Sequence, residues 1–135
     1  MANNYTFFST TLRIPDGTSP QAKKIVEDLE DAYDNESDDG ESDELGGCTV
    51  EIDNTNVTVY SEGAGDIDVA VSIFQALLDG LQLEGPLIFE WAATCSKPRP
   101  GEFGGGAVII RRGKETVAMD TSSWATEYLA KETTT

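Results

Sequence analysis

The sequence contains no histidine. That absence excludes Ser-His-Asp and Cys-His nucleophile systems and every zinc site that needs imidazole. Cysteine is scarce as well. Cys48 and Cys95 are the only two, without C-x-x-C spacing, and they read as reduced core thiols of a cytosolic chain. Lysine and arginine together number nine against 25 acids, a net charge of −16. Such a deficit of bases opposes direct binding to nucleic acid or to an anionic membrane. No apolar run approaches the roughly 18 residues of a spanning helix. The opening stretch MANNYTFFSTTLRI has no basic region, so the reading is a cytoplasmic protein without a signal peptide. The N-x-T matches at Asn4 and Asn56 then carry no glycan. An enzyme built from what remains would rely on carboxylates, Tyr, Lys or a bare thiol. No such constellation stands out, and the expectation is a non-enzymatic protein with no cofactor.

The acids that are present are unevenly placed. Residues 27–44 hold eleven of them and no base, whereas the other fourteen face all nine bases. A chain acidified for solvation alone would spread its charge; this one concentrates it. Ser19-Pro20 marks a helix start, with proline where no backbone N–H is needed. Ala22, Ile25, Val26, Leu29 and Tyr33 follow at helical spacing, which predicts a helix over 19–34. Glu27, Glu30, Asp31 and Asp34 fall three, four and seven apart, a carboxylate stripe read as lying opposite that apolar face. They crowd the last two turns, where the helix dipole and like-charge pairs disfavour them by about 1–2 kcal/mol in total. Lys or Arg there would favour the helix, so the acids point to a role outside folding. An acidic loop over 35–47 continues the stripe.

The remaining pattern is mixed. Alternation predicts strands at 5–14, 48–53, 57–61 and 87–96, and a hairpin of 107–112 with 115–120 about a Gly113-Lys114 turn. Ile67, Ala70, Val71, Phe74, Leu77, Leu78 and Leu81 predict a second helix, ended by Gly85-Pro86. Ser123 is read as the cap of a short third helix carrying Trp124 and Tyr128, with a frayed tail at 132–135. The 135 residues fit one α+β domain, a two-layer arrangement of a mainly antiparallel sheet with two main helices on one face. The first 95 residues match the ferredoxin-like βαββαβ order, followed by a C-terminal hairpin and short helix. Fold alone carries no function.

Other chemistries fit the sequence less well. An EF-hand aligned from Asn35 places Asp39 and Gly40 correctly, but Gly46 stands where the bidentate Glu is required. Gly63-Ala64-Gly65 precedes the second helix, yet Asp66 and Asp68 put negative charge where a phosphate would sit, so capping is the better reading. Lys97 and Arg99 lie near Cys95 without a base or oxyanion hole. GEFGGGAVII lacks the paired aromatics of an RNA-recognition strand, and its glycines read as a place where the chain bulges or passes close to another backbone. The expectation is therefore an acidic interaction protein. Glu27, Glu30, Asp31, Asp34, Glu36, Asp38, Asp39 and Glu41 would engage a basic surface on a partner protein, one that normally holds nucleic acid, as a nucleic-acid-mimicking inhibitor or immunity protein does. The alternative is a Ca²⁺- or small-ligand-binding module using the acidic loop or the Gly-rich loop 97–106.

Overall fold

The computed structural model describes residues 3–36 and 46–133. Nine elements follow in order: β1 (Asn4–Arg13), α1 (Ser19–Glu36), β2 (Thr49–Ile52), β3 (Asn56–Gly63), α2 (Ile67–Gly80), β4 (Leu87–Cys95), β5 (Gly104–Ile110), β6 (Val117–Asp120) and α3 (Thr121–Thr133). Together they form an α+β structure with one six-stranded antiparallel sheet, ordered β2-β3-β1-β4-β5-β6. Both edge strands, β2 and β6, are only four residues long.

The core lies on one face of the sheet. Phe8 and Leu12 of β1, Val57 and Val59 of β3, Phe89 of β4, and Val108 and Ile110 of β5 point to that face. Ala22 and Val26 of α1 and Ala70, Ile73, Phe74, Leu77 and Leu78 of α2 close over them. Phe89 anchors the centre, its ring 4.9 Å from Phe8 and 6.2 Å from Phe74 between centroids. Gln21 Nε2 donates to the Gly80 carbonyl, and Ile25 packs where a Gly80 side chain would stand. The start of α1 thus meets the end of α2, and the two helices run antiparallel. The far face of the sheet along β1–β3 is polar apart from exposed Phe7, and Thr11 and Thr58 share a hydrogen bond there. It turns apolar along β4–β6, where Ile88, Ile109, Val117 and Met119 are exposed.

Four expectations change in detail. The first helical bond of α1 runs from the Ala22 N–H to the Thr18 carbonyl, so the cap falls one residue before Ser19. The Gly113-Lys114 two-residue turn does not form. Strand pairing stops at Ile109–Val117, because Arg112 leaves the ladder to bond Glu84 through both backbone and guanidinium, and Gln75 takes the Arg111 carbonyl. The cap of α3 is Asp120, whose carboxylate accepts from the Ser123 N–H at 2.7 Å and the Ser123 hydroxyl at 3.0 Å. Finally, Gly104, Gly105 and Gly106 belong to β5 and not to the preceding loop. Gly106 pairs with Trp91, whose indole lies where a Gly106 Cβ would stand, 2.7 Å from Nε1. Glycine here makes room for the tryptophan and for a close backbone neighbour, as the sequence reading of close approach requires.

Candidate functional site

α1 presents its carboxylates over its C-terminal half, with no basic residue in its last turn. Glu27 and Asp31 are exposed, whereas Glu30 is half-buried. Glu30 follows Val26 by four residues and therefore shares its ridge. It lines a shallow depression of about 290 Å³ with Lys23, Val26, Glu27, Val50 and Ile52. The stripe thus runs along the seam between α1 and β2, not directly opposite the core. Asp28, outside the stripe, pairs with Lys24 at 3.3 Å in full exposure, a contact of little energetic weight. Asp34 and Glu36 lie on the α1 backbone, while Asp38, Asp39 and Glu41, with most of the acidic loop, lie outside the described residues.

The chain re-enters at Gly46, whose carbonyl accepts the Asp66 N–H at 2.8 Å. Gly47 sits against the Ala64 carbonyl, a fit that only a residue without Cβ allows, at φ +76. Beneath this contact is a buried hydroxyl. Ser61 Oγ donates to the Thr6 carbonyl at 2.7 Å and accepts from the N–H groups of Gly63 at 3.1 Å and Gly65 at 2.7 Å. Ser61 thereby fixes the turn from β3 into α2. Asp66 then caps α2, its Oδ1 accepting from the N–H groups of Asp68 and Val69. The helix N-terminus is occupied by this carboxylate, as the capping reading expects. With α1 and α2 antiparallel, the acidic end of α1 and the Asp66–Asp68 end of α2 lie at the same end of the molecule.

The same end holds a groove that the sequence reading did not find. It encloses about 890 Å³ above the inner face of β5 and β6, which α2 leaves uncovered. Its floor is Trp91, Val108 and Ala118; Ile67 and Val71 of α2 form one wall and Trp124 of α3 the other. Asp66, Asp68, Asp120 and Glu127 also line it, and among the described residues no Lys or Arg does. Trp124 stacks obliquely on Tyr128 at 5.8 Å, which extends the aromatic wall outward. Trp91 and Trp124 are the two tryptophans of the chain, and both face this groove.

Residues 37–45 of the acidic loop, on which the Ca²⁺ alternative rests, lie outside the described residues. No disulfide joins the two cysteines: Cys48 is buried, its Sγ donating to the Asp66 carbonyl at 3.5 Å, and Cys95 is half-buried on β4. Among the described residues no three Cys, Asp or Glu gather where they would hold a metal ion. The connection 97–103 borders a recess of about 270 Å³ that Glu102 and exposed Phe103 help to line. Among the described residues two groups titrate away from their ordinary values, and both lie on or beside the β2–β3 hairpin. Hydrogen bonds from the Thr55 and Asn56 backbone hold the Asp53 carboxyl below its usual 3.8. Desolvation, then the Glu51 charge, raises Tyr60 above 10.0. Neither stands in the acidic stripe or the groove, so neither marks a reactive centre there. No helix among the described residues is long and apolar enough to cross a membrane. Comparison with known proteins found no matching family, no similar curated protein and no similar solved structure.

Proposed function

We propose that this protein is a non-enzymatic interaction protein whose acidic end binds a basic surface on a partner protein, in the manner of a nucleic-acid-mimicking inhibitor or immunity protein. The observation that supports it is convergence. Glu30 and Asp31 in the second half of α1, Asp66 and Asp68 at the start of α2 and Asp120 at the β6–α3 junction lie toward one end of the fold. Acids three and four apart on a helix stand about 5–6 Å from one another, on the order of the charge spacing along a nucleic-acid strand. A groove built for phosphates would meet a comparable row of charges. The order β2-β3-β1-β4, with α1 and α2 on one face, supports a ferredoxin-like unit to which β5, β6 and α3 are added.

The test is a pull-down from lysate at about 0.1 M and about 0.5 M salt. It compares the wild type with a variant whose acids from 27 to 44 are Asn or Gln. Basic or nucleic-acid-binding proteins retained by the wild type alone, and released at the higher salt, are the expected result. The neutralised variant should also be more stable by about 1–2 kcal/mol, because repulsion at the α1 terminus is relieved. Identical lanes for the two proteins would remove the acidic end from consideration as a binding surface.

A further inference from the structure

We propose that the groove between α2 and α3 is the seat of an extended, arginine-bearing peptide segment of the partner; this rests on the basic-partner reading and specifies what that partner inserts. Three observations lead to this occupant. First, the volume of about 890 Å³ falls within the roughly 300–1,000 Å³ of ligand-sized sites, and an apolar floor of Trp91, Val108 and Ala118 suits the aliphatic stem of a long side chain. Second, the Trp124 ring forms a wall and is 54% exposed, so a guanidinium can lie across it. Third, the charge lining the groove is of one sign.

The four carboxylates are not equivalent. Asp66 and Asp120 are committed to capping α2 and α3, where they partly offset the positive ends of those helices. Asp68 and Glu127 stand on opposite walls, one on α2 and one on α3. A guanidinium entering over the floor therefore passes between two carboxylates that are not spent on capping. Arginine is favoured over lysine because its planar group can stack on Trp124 while its N–H groups reach carboxylates at the edge.

Both tryptophans line the groove, so intrinsic fluorescence reports its occupancy directly. The probe is an acetylated, amidated hexapeptide of alternating arginine and leucine, titrated at about 0.1 M salt. The counterpart with glutamate in place of arginine, and agmatine, are run beside it. A saturable change with the arginine peptide and none with the glutamate peptide is expected. Asp68→Asn and Glu127→Gln should each weaken binding about two- to fivefold. Trp124→Ala should weaken it about two- to tenfold, read through Trp91, whereas Trp124→Phe retains most of it. Unchanged thermal midpoints would show that these variants are folded. A far-face variant, Glu90→Gln, should leave the titration intact. An unresponsive wild type, an equal response from the Asp68→Asn/Glu127→Gln double variant, or agmatine binding as tightly as the peptide would each overturn the inference. Lysate capture that depends on the α1 acids, with tryptophans silent to the peptide, would overturn the groove alone. A peptide that titrates the tryptophans while lysate capture is empty for both proteins would leave the groove standing and remove the α1 surface.

Discussion

Replacing Ser61 by alanine removes one buried hydroxyl and leaves three backbone groups without their partner. They are the Thr6 carbonyl and the N–H groups of Gly63 and Gly65, bonded at 2.7, 3.1 and 2.7 Å. At about 0.5–1.5 kcal/mol net per hydrogen bond, the loss would be about 2–4 kcal/mol. Gly63 and Gly65 are half-exposed, so water can reach part of what is vacated, and the lower part of that range, about 2–3 kcal/mol, is expected. For a chain of this size that corresponds to a fall in Tm of about 6–12 °C. The control is Thr58→Ala, on the far face of the sheet, where the hydroxyl bonds Thr11 at 2.9 Å in an exposed position. That change should cost less than about 1 kcal/mol. Urea denaturation of both variants, with m unchanged, measures the difference, and amide exchange at Gly65 localises it. Equal costs for Ser61→Ala and Thr58→Ala would refute the idea that one hydroxyl fixes the turn into α2. If the reasoning holds, Ser61→Ala should also loosen the Asp66 wall of the groove and weaken the peptide titration.

Gly106→Val would press a side chain against the Trp91 indole and the Met119 carbonyl, destabilising by about 1–3 kcal/mol and altering the near-UV circular dichroism of Trp91. Gly104→Ala, two residues earlier and with Thr121 Oγ1 as nearest neighbour at 3.5 Å, should stay within about 0.5 kcal/mol; equal effects at the two glycines would contradict the packing described. Asp53 should titrate below 3.8 by NMR. Because its folded value is depressed, the stability it contributes is present above pH 3.8 and is lost as pH falls through the lower folded value, where the folded chain also takes up the proton. Asp53→Asn should abolish that limb of the stability curve, and an unchanged limb would assign it to other carboxylates.

The elements of this fold were legible from the sequence because each displays its own period. β1 and β4 alternate, and α2 carries an apolar stripe that α1 echoes, so the strands and helices fall where the pattern puts them. Features that depend on distant partners were not legible. A glycine shows no period, so the run at 104–106 reads as loop until Trp91 is found across the ladder. The Gly113 turn obeys local chemistry, but Glu84 competes for Arg112 from 28 positions away. Asp120 is hidden as a cap because β6 passes into α3 with no residue between them. Glu30 belongs to a charge stripe that helical spacing sets against the apolar face, yet its offset of four from Val26 puts it at the β2 seam. The groove draws its lining from α2, β4, β5, β6 and α3, and only the sheet order brings those segments together.

The four-residue length of β2 and β6 restricts how anything can attach to this sheet. An edge strand offers outward only about half of its backbone N–H and C=O groups, so each rim presents a ladder of very few rungs. β6 is cut off at once by α3, and β2 by the Gly46-Gly47 turn before it. Strand addition, the route by which flat sheets polymerise or recruit extended peptides, therefore gains little at either rim. A protein that leaves Ile88, Ile109, Val117 and Met119 open to water is thereby guarded against stacking edge to edge. Attachment through side chains and charge is not restricted in this way.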